Sequence, residues 1–228
     1  MAEQTLEILN AEIVGCRKCP RLVEYRERVA REKRRAFGEW EYWGKPVPGF
    51  GDAAAGLYIL GLAPAAHGAN RTGRVFTGDR SGDFLYRALY RTGFASQPHS
   101  IKRGDGLQLR DAYIGATLRC APPGNKPLPS ELRNCRPYFE TELTLLRPRA
   151  ILALGGIAMK AYLALLMDRG VVRTFAAYPF RHGAMYEFPG DLPRLFLSYH
   201  PSQQNTFTGK LTPAMMSKVL RRIRKFLG

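Results

Sequence analysis

Four short apolar runs, separated by stretches with helical periodicity, constrain the fold of this chain most strongly. The runs cover residues 57–62, 112–118, 150–154 and 195–199. Helical stretches lie between them at 81–91, 130–146 and 157–167, and further helices are predicted at 3–14, from 22 to about 36, and at 213–227. Because strands that alternate with helices form parallel sheets covered on both faces, this order predicts an α/β fold.

A glycine-rich segment, residues 61–82, follows the first predicted strand. It holds five glycines and a proline, with His67, Asn70, Arg71, Arg74 and Asp79 between them. Glycine lets a backbone approach a ligand closely, and open α/β sheets bind ligands at the carboxyl ends of their strands. The segment therefore predicts an active-site loop. A flexible surface loop is the alternative, although linkers rarely combine aromatic, acidic and basic side chains at this density.

Distinctive residues also follow the other three predicted strands. Asn125 comes after the second strand, two glycines after the third, and His200 after the fourth. Because the carboxyl ends of parallel strands share one edge, we expect His200, Asn125, Asp79 and Phe76 to line one cleft. An imidazole can donate a hydrogen bond to a developing anion, which favours an electrostatic role for His200. Structural roles are the alternatives: a core histidine or phenylalanine, and loop turns at Asn125 and Asp79.

Charge indicates the kind of partner. The chain has 228 residues and a net charge of +16, spread along its length. This excess favours a polyanionic partner, most simply nucleic acid, although an anionic membrane surface would also attract it. No apolar stretch reaches the roughly 20 residues that a membrane span needs, and the start lacks the pattern of a signal peptide. We therefore expect a cytoplasmic protein that does not act on membranes.

The four cysteines predict a metal site. They are Cys16, Cys19, Cys120 and Cys135. Structural disulfides are rare in the cytosol, and a Cys-x2-Cys pair places two thiolates on one turn. Zinc and an iron–sulfur cluster both accept four thiolates, and the spacing does not separate them. Four unrelated cysteines remain the alternative, because the second pair is widely spaced.

These motifs together resemble those of the uracil-DNA glycosylases, in the iron–sulfur branch that contains families 4 and 5. Gly61-Leu-Ala-Pro with residues 73–78 resembles the first motif of that branch, and His200-Pro-Ser resembles the second. The four cysteines match its cluster ligands. The resemblance implies a [4Fe-4S] cluster and a three-layer αβα sandwich around a four-stranded parallel sheet. It also implies a single domain over residues 1–228, whose N-terminal helical segment, 1–50, is tied in by the cluster.

Departures from the family pattern favour family 5. Leu62 and Ala63 stand where other families carry Asp, Asn or Glu to hold the attacking water, and neither side chain can accept a proton. Ala116 stands where family 4 has an asparagine that binds the edge of uracil. Losing that amide should relax the choice of base. The resemblance thus implies a monofunctional DNA glycosylase for uracil, and also for hypoxanthine and xanthine, in base excision repair.

The resemblance also assigns candidate roles to individual residues, in a protein expected to be a monomer that acts on DNA containing deaminated bases. The catalytic candidates are His200, Asn125 and Asp79. The base-binding candidates are Phe76, Gly61, Ala63, Pro64 and Asn70. The DNA-binding candidates are Arg71, Arg74, Ser202, Asn205 and Lys210, joined by the basic stretch 221–225.

Two other kinds of protein would explain part of the pattern. A non-enzymatic, zinc-stapled nucleic-acid-binding module accounts for the charge and the cysteines but not for the glycine-rich segment or His200-Pro-Ser. A phosphate-ester hydrolase could use the glycines to hold phosphate. The chain lacks the Gly-Lys-Ser/Thr ending of such a loop and an evident acidic metal cluster.

Overall fold

The computed structural model describes residues 2–228, with side chains from residue 5 onward. Its helices are α1 (Ala2–Gly15), α2 (Pro20–Glu32), α3 (Ala69–Thr72), α4 (Arg80–Arg91), α5 (Pro129–Leu146), α6 (Gly156–Asp168), α7 (Gln203–Phe207) and α8 (Pro213–Leu227). Its strands are β1 (Phe50–Gly51), β2 (Leu57–Gly61), β3 (Ala112–Ala116), β4 (Ala150–Leu154), β5 (Met185–Tyr186) and β6 (Arg194–Ser198). Each of the four apolar runs forms a strand, shorter than predicted or shifted by a residue in three cases.

The sheet has six strands over the described residues, in the order β1-β3-β2-β4-β6-β5. The four central strands are parallel, as predicted. The two edge strands, β1 and β5, pair antiparallel and correct the predicted count of four. Each edge strand is two residues long, which is too short to leave a periodic signal in the sequence.

Side chains alternate along each central strand and form a separate core on each face of the sheet. Tyr58, Leu60 and Ile151 belong to the core that includes residues of α1, α5 and α6. Leu57 and Ile59 belong to the core that includes residues of α4 and α8. Helices thus cover both faces, and the predicted three-layer αβα sandwich is confirmed.

The basic end of α8 lies at the edge opposite the predicted cleft. Arg224 pairs with Asp111, which precedes β3, and Arg149, which precedes β4, donates to the carbonyl of Leu227. Both contacts lie at the amino ends of the strands. The end of α8 that carries Arg224 therefore lies away from the cleft, whereas Arg222 donates to the carbonyl of Gly183, which pairs with Leu197 in β6. The expectation that this stretch binds phosphates beside the cleft is thus not supported at the end of the helix.

Among the described residues, no helix combines the length and apolar character needed to cross a membrane.

Candidate active site

A cavity of about 280 Å³ lies at the carboxyl edge of the sheet. Strands β2 and β3 end side by side there, with Gly61 paired to Ala116. The cavity is lined by Gly61, Leu62, Ala63, Pro64, Ala65, Val75, Phe76, Asp79, Ser81, Ala116, Asn125, His200 and Ser202. The four residues predicted from the strand ends therefore meet in one cleft, which we call the base pocket.

Asp79 is fixed at the amino end of α4. As the N-cap of that helix, its Oδ1 accepts from the backbone N–H of Gly82 at 2.9 Å. Its Oδ2 lies against Gly68, where a Cβ would overlap it. Burial raises the pKa of Asp79, opposed by hydrogen bonds from the backbone N–H groups of Gly82 and Ser81. A carboxylate that is buried, oriented and close to a cavity is suited to accept a proton.

Phe76 forms one wall of the base pocket. Its φ of +50° lies in the left-handed region, which a bulky residue rarely adopts, so its orientation depends on the surrounding structure. A Cβ on Gly61 would lie 2.8 Å from the Phe76 ring, so glycine is needed for this approach. The ring centroids of Phe76 and His200 are 5.8 Å apart and tilted by 33°. Together the two rings form an aromatic corner in which a flat base could lie.

His200 follows β6 directly and lies largely within the protein. Burial lowers its pKa to about 4, so the imidazole is neutral near pH 7. A neutral imidazole has one N–H to donate. Asn205 donates to the backbone carbonyl of His200 at 2.8 Å and holds the turn after β6. This bond gives Asn205 a positioning contact, and its predicted contact with DNA stays a prediction.

Asn125 faces the base pocket from the loop after β3. Its φ of +57° is one that asparagine tolerates better than most residues. The side chain is exposed and free to bind a water or a ligand. Ser202 lines the same cavity, while Lys210 is exposed with its Nζ 4.9 Å from the centre of the Tyr199 ring.

Three predicted ligand-binding residues lie in the protein interior. Asn70 is 1% exposed, does not line the base pocket, and donates to the carbonyls of Arg26 and Ala66. Arg74 is 5% exposed and pairs through two nitrogens with Asp105. Arg71 is 4% exposed. The prediction that Asn70 binds the base, and that Arg71 and Arg74 contact DNA, is corrected because these side chains are enclosed by protein.

Two residues at the rim of the cleft were missed by the sequence interpretation. Phe207, at the end of α7, is 69% exposed, and the Arg80 guanidinium lies 5.6 Å from the centre of its ring. Ser81 lines the base pocket beside Asp79. Only an apolar residue within the otherwise polar stretch 202–210 pointed to Phe207.

The four cysteines line a second cavity, on the side of the molecule that carries α1, α2 and α5. Cys120 and Cys135 are buried there. Burial raises the pKa of Cys120 to about 11 and that of Cys135 to about 12, so either thiol alone would hold its proton near pH 7. Among residues 5–228, no set of three or more His, Cys, Asp or Glu side chains lies close enough to surround a single metal ion. Ligands of a multi-iron cluster bind different iron atoms and so lie further apart.

The donors around this second cavity suit an anionic group. Arg26 donates to the sulfur of Cys120 at 2.9 Å, the Arg119 backbone N–H donates to that of Cys135 at 3.2 Å, and Asn134 donates to that of Cys19 at 3.5 Å. Nε of Arg26, and Nε and Nη1 of Arg119, are buried without a hydrogen-bond partner. Unpaired buried donors are costly. The cavity thus fits a thiolate-ligated cluster, whose negative charge those donors would face.

Comparison with known proteins decides the family. The family model described as the uracil DNA glycosylase superfamily matches residues 48–224. The chain belongs to the uracil DNA glycosylase superfamily. Similar curated proteins carry the name type-5 uracil-DNA glycosylase. The one from Thermus thermophilus is 51% identical over 95% of this chain and 95% of its own length. The one from Mycobacterium bovis is 51% identical over 96% of this chain and 81% of its own length. The one from Pyrobaculum aerophilum is 45% identical over 92% of this chain and 88% of its own length.

The three residues whose identity favoured family 5 in the sequence all lie in the base pocket. Leu62, Ala63 and Ala116 line it, so this part of the wall offers no side-chain hydrogen-bonding group. Thr117 fixes the turn by donating through its hydroxyl to the carbonyl of Leu62 at 2.7 Å. The polar side chains of this glycosylase pocket come instead from Asp79, Ser81, Asn125, His200 and Ser202.

Proposed function

We propose that the protein is a monofunctional DNA glycosylase that removes uracil, and also hypoxanthine and xanthine, from DNA in base excision repair. The observation that carries this proposal is the meeting of Asp79, Asn125, Phe76 and His200 in one pocket of a uracil DNA glycosylase fold. The names of the type-5 relatives support uracil as a substrate. The wider range rests on the shape and chemistry of the pocket.

Base selection would depend on stacking and fit more than on hydrogen bonding. A base inside a duplex must be flipped out, at a cost of a few kcal/mol, before an enzyme can reach it. Phe76 would stack on the flipped base. The apolar wall of Leu62, Ala63 and Ala116 would form no side-chain hydrogen bonds with the edge of the base. A site without polar groups aimed at one edge discriminates weakly between bases.

His200 would stabilise the departing base. The N-glycosidic bond breaks with its electron pair on the base, which leaves as an anion, and the sugar becomes cation-like, as in glycoside hydrolysis. The neutral imidazole of His200 would donate its N–H to that anion. Because His200 keeps no positive charge near neutral pH, its contribution is a hydrogen bond rather than proton transfer.

Asp79 and Asn125 would handle the attacking water. The water oxygen bonds to the anomeric carbon of the sugar, and the proton it loses passes to the carboxylate of Asp79. Asn125, exposed on the opposite loop of the pocket, would orient the same water. The sugar cation is reactive, so a carboxylate of modest basicity suffices.

The rim of the cleft would hold the DNA. Phe207 would fill the gap left by the flipped base, as apolar wedges do in other DNA-binding proteins, and its high exposure supports this role. Lys210 and Arg80 would neutralise phosphates beside it. Ser202 would reach the same strand from the pocket edge.

Cys16, Cys19, Cys120 and Cys135 would hold a [4Fe-4S] cluster. When bound, the cluster would supply a structural cross-link between residues 16–19 and the segments that follow β3. Hydrogen bonds within the protein would then connect this cross-linked region to the active site. Asn70 connects α2 to the glycine-rich segment through its bonds to the carbonyls of Arg26 and Ala66.

The test is excision from a labelled duplex with a single uracil, in the presence of a chelator, followed by alkali. We expect strand cleavage only after alkali, then the same result with hypoxanthine and xanthine. Tight DNA binding without abasic sites, in a colourless protein containing zinc, would favour the zinc-stapled binding module and overturn the proposal. Cleavage without alkali would contradict the monofunctional assignment.

A further inference from the structure

Arg71 lies in an aromatic sandwich beneath the glycine-rich segment. Its guanidinium carbon is 4.0 Å from the ring centre of Phe37 and 4.1 Å from that of Trp40. Both distances are well inside the range of cation–π attraction. The two aromatic residues belong to the loop after α2, so a distant part of the chain encloses this side chain.

The hydrogen bonds of Arg71 join two points of the glycine-rich segment. Its Nε donates to the carbonyl of His67 at 2.9 Å, and its Nη2 donates to the carbonyl of Gly78 at 2.8 Å. A Cβ on Gly78 would lie 2.6 Å from Nη2, so the approach requires glycine. Gly78 directly precedes Asp79. The guanidinium therefore holds the peptide that carries the proposed proton acceptor.

Arg71 differs in its charge balance from Arg74, which lies in the same segment. Arg74 forms a two-point ion pair with Asp105, whereas Arg71 has no carboxylate within ion-pair distance in the described structure. Burial lowers the pKa of Arg71, while Tyr42 and Asp79 favour its charged form. A buried cation without an ion pair is destabilising unless other groups compensate. Its positive potential thus reaches Asp79 without being cancelled by a closer carboxylate.

We propose that Arg71, held between Phe37 and Trp40, is a positioning residue that orients Asp79 and favours its ionised form. This inference rests on the proposed function. The groups that face Asp79 are Arg71 from α3, Asp83 and the N–H groups of Ser81 and Gly82 from α4, and the other polar residues lining the base pocket. Of the charged side chains among them, only Arg71 favours the ionised form, with a smaller effect on the pKa of Asp79 than either backbone N–H group or Asp83.

The experiment compares Arg71→Gln with Arg71→Lys in the full-length, iron-loaded protein. Single-turnover excision of uracil is measured with enzyme in excess from pH 4 to 9. Arg71→Gln removes the charge, so we expect at least a tenfold slower reaction and an acid limb shifted toward higher pH. Arg71→Lys keeps the charge but loses the two-point hydrogen bonding, so its rate should fall while its acid limb stays in place.

Two further measurements separate the possible failures. The carboxyl carbon of Asp79, assigned with Asp79→Asn, is titrated by NMR in wild type and in Arg71→Gln without DNA. An upward shift of its midpoint supports the proposal even if the substrate has been misidentified. Equal slowing of both variants, with unchanged acid limbs and an unchanged Asp79 titration, would reduce Arg71 to a structural role and overturn the proposal. Arg110→Gln, at an exposed position just before β3 and so at the edge of the sheet opposite the base pocket, is the control and should leave rate and titration unchanged.

Discussion

The base pocket and the cysteine cavity differ in how completely the buried polar atoms of their lining residues are hydrogen-bonded. None of the unpartnered buried side-chain atoms among residues 5–228 belongs to a residue that lines the base pocket. The cysteine cavity has three such nitrogens, on Arg26 and Arg119, next to thiols whose pKa values are raised by burial. The base pocket is formed by protein alone. The cysteine cavity keeps three buried nitrogens without a hydrogen-bond partner, which the proposed cluster would face.

The two cavities are nevertheless mechanically connected. Helix α2 carries Arg26 beside the cysteines, and Asn70 links the carbonyl of Arg26 to that of Ala66, next to the pocket-lining Ala65. Loss of the proposed cluster should therefore disturb the base pocket through a shift of α2. Changes within the base pocket should leave the cysteine cavity intact. The following predictions test this asymmetry.

The largest effect is expected for Asp79→Asn. Asparagine keeps the N-cap bond to Gly82 but cannot accept a proton, so excision should slow by about 10²–10⁴-fold. Single-turnover kinetics measure the loss, and thermal unfolding and iron content should match wild type. A near-normal rate would remove Asp79 from the chemistry. A loss of iron would show that the two cavities are coupled in both directions.

His200→Gln should slow excision by about 10²–10³-fold, because one donor to the departing base is lost. The dissociation constant for uracil-containing duplex should change little, since the proposed DNA contacts lie at the rim of the base pocket. The same single-turnover assay, combined with an equilibrium binding titration, checks both statements. If binding weakens as much as the rate falls, His200 supports base entry rather than bond cleavage.

His200 also predicts how stability depends on pH. Its pKa is about 4 in the folded protein and about 6.5 in the unfolded chain, so the unfolded chain binds a proton first as pH falls. Folding stability contributed by the neutral side chain is therefore lost between pH 6.5 and 4, by at most about 3 kcal/mol. Asp79, with its raised pKa, acts in the opposite direction at the acid end. Denaturant unfolding of wild type and His200→Gln across this range should show a shallower acid loss in the variant.

Arg26→Leu tests whether the cysteine cavity is incomplete without its group. In iron-free protein the substitution removes a buried, partly unpaired guanidinium, so it should be neutral or stabilising. In iron-loaded protein it removes a donor to the cluster environment and should destabilise by about 1–3 kcal/mol. The opposite signs are read from unfolding midpoints with and without iron. Arg28→Leu, in an exposed pair with Glu24, is the control, and its effect on stability should have the same sign with and without iron.

The sequence predicted the base pocket well because strand ends are a local property. Each apolar run could be located by itself, and parallel pairing then brings Asp79, Asn125 and His200 to one edge whatever the rest of the chain does. The edge strands escaped prediction because two residues carry no periodic signal.

The sequence misplaced the buried arginines because their surroundings are tertiary. Asp105 lies 31 residues after Arg74, and the two rings around Arg71 come from a loop before the first central strand. In sequence, an arginine in a glycine-rich loop of a basic chain looks like a phosphate ligand. The same reasoning misplaced the end of α8 that carries Arg224, since helical periodicity does not show toward which edge of the sheet a helix runs.

The smallest predicted effect concerns DNA binding by the basic residues. It compares Lys210 with Lys225, a residue of the stretch 221–225, as the control. Lys210 lies near the cleft, whereas Lys225 lies on the end of α8 that reaches the opposite edge of the sheet. Each phosphate contact adds about one to the slope of log binding constant against log salt. Lys210→Gln should therefore lower the slope by about one, while Lys225→Gln, with the same change in net charge, should leave it unaltered. Equal slopes for the two variants would mean that the whole basic surface attracts DNA without a defined binding face, and the rim of the base pocket would lose its assigned role.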